Sequence, residues 1–154
     1  MKRCIRCKKS HGQIYEIDEE VEPAPPTHER CRCVIAVLEA IIAGKATNNG
    51  MNGADLWLKE FGKLPPSYIS ESEALGLGWK NWLGNLSSVA PGKMMTKGVY
   101  KNRDGHLPAS EGRVWYEADI NYTCGFRGNS RILFSNDGLI FVTYDHDHTF
   151  SEIV

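Results

Sequence analysis

The segment formed by residues 114–135, VWYEADINYTCGFRGNSRILFS, places a glutamate and two arginines among aromatic and apolar residues. Glu117 lies within an apolar, strand-like run, and Arg127 and Arg131 bracket a turn that precedes another apolar run. A solvated strand would spread such charges along its exposed face. Because a guanidinium matches phosphate oxygens bidentately and a carboxylate accepts protons, the segment indicates an anion site with acid–base chemistry.

A second polar segment, residues 143–150 (TYDHDHTF), adds His146 and His148 near the end of the sequence. Imidazole and carboxylate groups act as acid and base near neutral pH. An antiparallel meander would bring these segments side by side, so that the carboxylate, the arginines and a histidine meet on one sheet face. Such a set can move protons at a phosphodiester. The alternative is a lattice of salt bridges on a solvent-exposed face.

Two strand signals position these residues. The run GRVWYEADI is rich in β-branched and aromatic residues, and RILFSNDGLIFVTY is two apolar runs joined around Asp137–Gly138, a hairpin signal. Alternation along the first run separates a polar face from an expected core face. The first face has Trp115, Glu117 and Asp119, and the expected core face has Val114, Tyr116, Ala118 and Ile120.

Helix signals come before the strands. The segments NGADLWLKEFGKLPP, SYISESEALGLGW and GNLSSVAPG each predict a short helix, and Ser70 followed by Glu73 has the spacing of a capping box. Helices that precede strands, without βαβ alternation, predict an α+β fold in which short N-terminal helices pack on an antiparallel β-sheet.

The composition allows one globular domain with a small appendage, since the 154 residues are 42% hydrophobic. A formal net charge of −1 gives no long-range attraction for nucleic acid, so an anion site must be a local cluster. The longest apolar stretch, VIAVLEAIIAG, is too short for a membrane span and contains Glu39. The charged N-terminus lacks a signal-peptide region, which predicts a cytoplasmic protein or one delivered within a larger system.

The N-terminal segment concentrates soft metal ligands in the pattern C-x₂-C…H-x₂-C-x-C. Such pairs suit a tetrahedral structural zinc, and the alternative is reduced, unligated thiols. A Gly/Asn-rich stretch then predicts a linker at residues 45–52, between a segment at 1–44 and a domain at 53–154. Cys124 stands apart and is expected to be buried. The candidate zinc ligands are Cys4, Cys7, His28, Cys31 and Cys33.

From about Gly53 onward the sequence resembles the barnase-type family of microbial guanyl-specific ribonucleases. The resemblance rests on blocks that keep their order and spacing: KLPPSYIS with EALGLGW, GNLSSVAPGK, NRDGHLP, GRVWYEADINYTCGFRGNSRIL and DHDHTF. It implies the microbial ribonuclease fold in a monomer. It also implies metal-independent cleavage of single-stranded RNA, preferentially 3′ to guanosine, through a 2′,3′-cyclic phosphate.

The resemblance also implies a role for individual residues. Glu117 matches the general base that takes the proton of the ribose 2′-hydroxyl, and His146 matches the general acid that protonates the leaving 5′-oxygen. Arg127 and Arg131 match the arginines that hold the phosphate. The loop that binds guanine is expected at Lys101, Asn102, Arg103 and Asp104.

Three positions depart from the family pattern. Asp147 replaces a tyrosine next to His146 and adds a negative charge there. Glu71 occupies a position where a lysine is expected, and a carboxylate there would repel the substrate phosphate. Asp104 replaces a glutamate and is one methylene shorter, which puts the strength of guanine preference in doubt. These departures leave open an alternative function, a catalytically weak module that binds RNA or an inhibitor protein.

The segment PPTHERCRCVI, residues 25–35, resembles the C-terminal end of a phage head-morphogenesis (minor capsid) domain. This second resemblance implies a ribonuclease toxin fused behind a phage-derived module. The producer of such a toxin would need an acidic, barstar-like inhibitor. A third hypothesis is that the cysteine segment itself is the functional part of the protein, as a structural zinc knuckle in a phage particle.

Overall fold

The computed structural model describes residues 40–154, which form three short helices and one seven-stranded sheet. The five candidate zinc ligands, Cys4, Cys7, His28, Cys31 and Cys33, lie outside the described residues. Within residues 40–154, no helix is long and apolar enough to cross a bilayer. The helices are α1 (Ala54–Phe61), α2 (Glu71–Gly76) and α3 (Leu86–Val89), and a 3₁₀ turn covers Gly50–Asn52. The strands are β1 (Ala40–Ile41), β2 (Tyr68–Ser70), β3 (Met94–Tyr100), β4 (Trp115–Asp119), β5 (Arg131–Ser135), β6 (Ile140–Thr143) and β7 (Ser151–Ile153).

The helix signals of the sequence have clear structural counterparts. Helix α1 ends at Gly62, which adopts a left-handed conformation with φ of 65° and donates its N–H to the Leu58 carbonyl. Helix α2 begins with the predicted capping box. The Ser70 hydroxyl accepts from the Glu73 N–H, and the Glu73 carboxylate accepts from the Ser70 N–H. The predicted helices are therefore confirmed.

The sheet has the order β1-β7-β6-β5-β4-β3-β2 and is mostly antiparallel, which confirms the α+β prediction. The predicted hairpin joins β5 to β6, with Gly138 at φ of 96° in its turn. The two edge pairs, β1 with β7 and β2 with β3, are parallel and were not predicted. Strands of two or three residues are too short to produce a detectable alternation.

Both faces of the sheet bury apolar side chains. One face packs Ala118, Ile132 and Val142 against α1, as the predicted core face requires. The opposite face has a second cluster of Leu107, Trp115, Leu133 and Phe141. The prediction of a single core face was therefore incomplete. Trp115, placed by alternation on the polar face, is 3% exposed, and Val114, placed on the core face, is exposed.

The expectation that Cys124 is buried was wrong. The thiol is free and exposed. Cys124 lies in the bend between β4 and β5, which is held by a hydrogen bond from the Tyr122 hydroxyl to the Gly125 carbonyl. This bend lies at the surface, and Phe126 within it is also exposed.

The stretch predicted as a linker, residues 45–52, packs against the domain. The buried Asp55 carboxylate in the first turn of α1 accepts hydrogen bonds from the backbone N–H groups of Gly44 and Ala46, at 2.7 and 2.9 Å. It also accepts from the Thr47 hydroxyl at 3.1 Å. Strand β1, which precedes this stretch, pairs with β7. The division of the chain at this point stays a prediction.

Replacing Asp55 should show how strongly this stretch is fixed. Asp55→Ala leaves a buried backbone donor, a partly buried one and a buried hydroxyl without their acceptor, so we expect a loss of about 3 kcal/mol in the free energy of unfolding. Urea denaturation of the full chain measures this loss. Glu60→Ala, on the exposed side of the same helix, is the control and should change stability by less than about 0.5 kcal/mol. Equal stability of the two variants would contradict the prediction.

Candidate active site

Glu117 lies near the middle of β4, on the sheet face opposite α1, with 19% of its side chain exposed. Its carboxylate accepts a hydrogen bond from Arg131 Nε at 3.2 Å. Burial raises the pKa of Glu117, and the negative charge of Asp147 raises it further. Arg131 and Arg127 oppose these effects. Glu117 is thus a carboxylate whose affinity for a proton is higher than usual, which suits a proton acceptor near neutral pH.

The two arginines are aligned by Asp119, which is buried at the end of β4. Arg127 donates two hydrogen bonds to the Asp119 carboxylate, each of 2.6 Å, and these bonds are the main cause of its raised pKa. Arg131 lies directly opposite Asp119 on β5 and contacts it at 3.2 Å. The Arg131 Nη1 donates to the carbonyl oxygens of Gly128 and Ser130, both at 2.8 Å. Both guanidinium groups are therefore fixed before any ligand arrives.

The sequence reasoning gave Asp119 no role. The available signal was its position two residues after Glu117, which places both carboxylates on the same sheet face. A second carboxylate on that face, followed by two arginines after a bend, is a sequence pattern that indicates a buried cluster of ion pairs.

His146 lies in the loop between β6 and β7, and Asp145 orders this loop. The Asp145 carboxylate accepts from the Thr143 and Thr149 hydroxyls and from the backbone N–H groups of His148 and Thr149. These bonds hold the pKa of Asp145 well below its usual range, with the Thr149 hydroxyl as the largest cause. His146 and Asp147 adopt left-handed conformations, with φ of 58° and 68°. Such backbone is unfavourable for these residues, so surrounding bonds must maintain it.

Glu117 and His146 line the same pocket. Asp147 and His148 lie on its wall beside His146, and Tyr100 closes it from β3. Arg131 adjoins the pocket through its bond to Glu117. The structure thus brings the predicted carboxylate, histidine and arginine pair to one region of the sheet face. The loop predicted to bind guanine, Lys101, Asn102, Arg103 and Asp104, also lines this pocket.

Comparison with known proteins identifies the family. A profile described as ribonuclease matches residues 58–154. A ribonuclease of Heyndrickxia coagulans is 46% identical over 108 residues, which cover 70% of this chain and 99% of that protein. Ribonucleases of Bacillus intermedius and Bacillus pumilus are also 46% identical over 108 residues, covering 67% of each. This chain belongs to the microbial ribonuclease family. The resemblance to the barnase-type ribonucleases is confirmed.

In this ribonuclease the 101–105 loop is shaped by Asn102. The Asn102 side chain donates to the Leu107 carbonyl at 2.9 Å and accepts from the Leu107 N–H at 3.1 Å. Its own backbone has φ of 46°, and its carbonyl accepts from the Gly105 N–H. The amide of Asn102 is thus engaged within the loop, whereas Lys101, Arg103 and Asp104 are exposed. Asn102 fixes the loop, and its exposed neighbours are free to contact a ligand.

Glu71, the residue expected to repel a phosphate, is ion-paired in this ribonuclease. Its carboxylate accepts from Lys97 Nζ at 2.8 Å. Lys97 lies on β3, the strand next to that of Glu117. The negative charge at position 71 is therefore accompanied by a positive charge from a neighbouring element.

The residues from 40 to 154 present no group of three or more His, Cys, Asp or Glu arranged to hold a metal ion. The candidate zinc ligands precede this part of the chain. Their assignment stays a prediction.

The raised pKa of Glu117 can be tested through its neighbour Asp147. The negative charge of Asp147 disfavours the ionised form of Glu117. Asp147→Asn removes that charge and should therefore lower the pKa of Glu117. NMR titration of the Glu117 side-chain carboxyl carbon measures the change directly. Glu60→Gln, on α1 across the sheet, should leave it unaltered. A Glu117 pKa that stays the same in Asp147→Asn would rule out this coupling.

Proposed function

We propose that this ribonuclease cleaves single-stranded RNA 3′ to guanosine, first forming a 2′,3′-cyclic phosphate and then hydrolysing it to a 3′-phosphate. The observation that supports this function best is that Glu117 and His146 line one pocket while Arg131 bonds to Glu117. A base, an acid and fixed positive charge are the groups that transesterification of a phosphodiester requires. RNA supplies its own nucleophile, the 2′-hydroxyl, so the protein provides none.

Glu117 takes the proton of the 2′-hydroxyl in the first step of this proposal. Its pKa is raised by burial and by Asp147, which makes the ionised carboxylate a stronger base than an exposed glutamate. Arg131 and Arg127 limit the rise and favour the ionised form that a base needs. The 2′-oxygen then attacks the phosphorus, and the bond from phosphorus to the 5′-oxygen breaks.

His146 donates a proton to the departing 5′-oxygen. Its position follows from a loop whose backbone is held by Asp145 and by a hydrogen bond from the His146 N–H to the Asn129 carbonyl. In the second step the two groups exchange roles. His146 takes a proton from water, and the water oxygen attacks the phosphorus of the cyclic phosphate. The bond from phosphorus to the 2′-oxygen breaks, and Glu117 returns its proton to that oxygen.

Arg127 and Arg131 bind the phosphate and stabilise the charge that develops on its oxygens. Asp119 has already aligned both guanidinium groups and removed much of their hydration. Little reorganisation is therefore needed when the substrate binds, and this is the condition under which fixed charges lower a barrier most.

The 101–104 loop gives the preference for guanine. A carboxylate can accept from the N1–H and from the exocyclic amine of guanine at the same time, whereas adenine has no donor at N1. Asp104 is exposed on the pocket rim and is the carboxylate of this loop. Backbone N–H groups of the loop would donate to the guanine O6.

A second candidate function is a catalytically weak module that binds RNA or an inhibitor protein. The observation that favours it is Glu71, a negative charge close enough to Arg127 to contribute to its raised pKa. A role as a toxin, delivered by a phage-derived module and restrained by an acidic, barstar-like inhibitor, is a further proposal. It rests on the sequence resemblances and on the arginine pair, since acidic groups of a partner complement such a cluster.

Cleavage of a guanosine-containing oligonucleotide in excess EDTA tests the main proposal. The wild type should cleave it and leave an all-deoxy control intact, and Glu117→Gln should lower kcat by roughly 10²- to 10⁴-fold. The pKa of Glu117 is raised in the folded state, so the ionised carboxylate destabilises the folded protein at neutral pH. The neutral glutamine of Glu117→Gln should therefore not lower the Tm. Full activity of Glu117→Gln would contradict the role of base. Intact RNA with the wild type, together with RNA binding, would favour the second candidate.

The role of Asp104 can be tested with an isosteric substitution. Asp104→Asn replaces one of the two carboxylate oxygens by an NH₂ group, which cannot accept from the guanine N–H groups. The ratio of kcat/KM for a guanylyl dinucleotide to that for an adenylyl dinucleotide should therefore fall about 10- to 100-fold. Glu111→Gln, an exposed charge outside the loop, should leave this ratio unchanged. An unchanged ratio in Asp104→Asn would assign guanine recognition to other groups.

A further inference from the structure

Strand β3 contains a bulge directly beside the proposed base. Thr96 pairs with Ala118 and Gly98 pairs with Glu117, so two steps along β3 match a single step along β4. Lys97 is the extra residue. Gly98 has φ of 75°, a conformation that glycine adopts without strain. Bulges of this kind redirect a side chain, and here the redirected side chain is a lysine next to Glu117.

The bulge places Lys97 opposite Glu117, two positions before Val99, which lines the pocket. Thr96 shares the opposite face with its partner Ala118, which packs among the side chains against α1. Tyr100 shares the face of its partner Trp115 and lines the pocket. In a bulge two residues of one strand face a single residue of the partner strand, so Lys97 and Gly98 together lie opposite Glu117.

The Lys97 ammonium is held by an acceptor at the edge of the arginine cluster. Its Nζ lies 2.8 Å from Glu71 Oε2, with 29% of the Lys97 and 43% of the Glu71 side chain exposed. Glu71 is close enough to Arg127 to be among the carboxylates that raise its pKa, after Asp119 and Glu117. Lys97, Glu71 and Arg127 therefore belong to one charged neighbourhood.

The charged groups around Glu117 do not by themselves offset the negative charge of a bound phosphate. With Glu117 ionised, the pair Glu117 and Asp119 balances the pair Arg127 and Arg131, so the four groups are together neutral. A phosphate in its transition state gains negative charge that this set cannot fully offset. Lys97 offers an ammonium with three donors, of which the bond to Glu71 uses one.

We propose that Lys97 donates to a non-bridging oxygen of the scissile phosphate, and that Glu71 is the positioning residue that directs its ammonium there. This inference rests on the proposed function of the pocket. The scissile phosphate is chosen because Lys97 lies opposite Glu117, the group that would contact the adjacent 2′-hydroxyl. The competing explanation is that Lys97 only neutralises Glu71.

A double-mutant comparison on a guanylyl dinucleotide, which contains a single phosphate, separates these explanations. The enzymes are the wild type, Lys97→Met, Glu71→Gln and the double variant. If Lys97 contacts the phosphate, Lys97→Met should lower kcat/KM by about 10- to 100-fold, and the loss should persist when Glu71 is already glutamine. If the double variant is as active as Glu71→Gln alone, Lys97 merely neutralises Glu71 and the proposal is overturned.

Two further variants sharpen the comparison. Lys97→Arg keeps a cation and should retain more activity than Lys97→Met. Lys59→Met removes the same charge from α1 on the other side of the sheet and should leave kcat/KM unchanged at fixed ionic strength. A loss confined to longer oligonucleotides would place Lys97 at a flanking phosphate and refute the assignment. Thermal unfolding of each variant shows that the comparison is made between folded proteins.

The positioning role of Glu71 has its own test. Glu71→Gln and Glu71→Ala remove the same charge, but only glutamine keeps an oxygen that can accept from Lys97. Glu71→Ala should therefore have a several-fold lower kcat than Glu71→Gln, with a similar KM. Equal kcat values would refute the positioning role.

The outcome remains separable from the proposed function. If the wild type cleaves RNA and Lys97→Met cleaves it equally well, the inference fails and the function stands. If the wild type does not cleave, calorimetric binding of a non-cleavable deoxyguanylyl dinucleotide provides the comparison. Weaker binding to Lys97→Met than to Lys59→Met then supports the contact with phosphate, and equal binding overturns it.

Discussion

The buried carboxylate of Asp119 is the constraint on which the site depends. An unpaired carboxylate at this depth would be very costly, and Arg127 and Arg131 offset that cost by pairing with it. The two arginines are therefore fixed by the requirements of folding before they serve a ligand. The pairing of Asp119 with Arg131 across β4 and β5 also specifies the strand register, because a slip of β5 by one residue would turn Arg131 toward α1 and away from Asp119.

The rest of the pocket follows from how the two faces of the sheet are covered. Helix α1 packs its apolar side chains against one face. The other face is covered only in part, by the cluster around Trp115 and Phe141, and the pocket lies beside this cluster. Burial by these neighbours helps to raise the pKa of Glu117. The left-handed backbone at His146 is maintained by the Asp145 acceptors, so the position of the imidazole depends on residues that do not line the pocket.

Local signals in the sequence predicted the local parts of the fold. The Ser70–Glu73 capping box and the Asp137–Gly138 turn are determined by residues a few positions apart, and both were predicted correctly. The parallel pairing of β1 with β7 joins residues separated by most of the chain and leaves no local pattern. Burial of Cys124 was expected from residue type alone, but its exposure follows from the path of a surface bend.

The catalytic side chains of the candidate site were predicted from the sequence, whereas the ion pairs that position them were not. Alternation placed Glu117 with Asp119 on the face opposite the expected core face, and the family resemblance supplied the roles proposed for Glu117 and for His146. The alignment of both arginines by Asp119 could not be predicted, because it depends on the register of β4 and β5 and on the bend between them. The pairing of Glu71 with Lys97 could not be predicted either, since a bulge cannot be detected from the spacing of residues along one strand.

That pairing shows why a charge reversal at one position need not change the electrostatics of a site. The potential at a bound phosphate depends on the distances to all charges and on the local dielectric, and not on which segment supplies them. Glu71 on α2 and Lys97 on β3 form a neutral pair whose positive end is directed by a bulge on the strand next to Glu117. The negative member lies at the more exposed end, where solvent screens it more strongly. The carboxylate at position 71 can thus serve as an anchor for a cation, where its charge alone would have repelled the substrate.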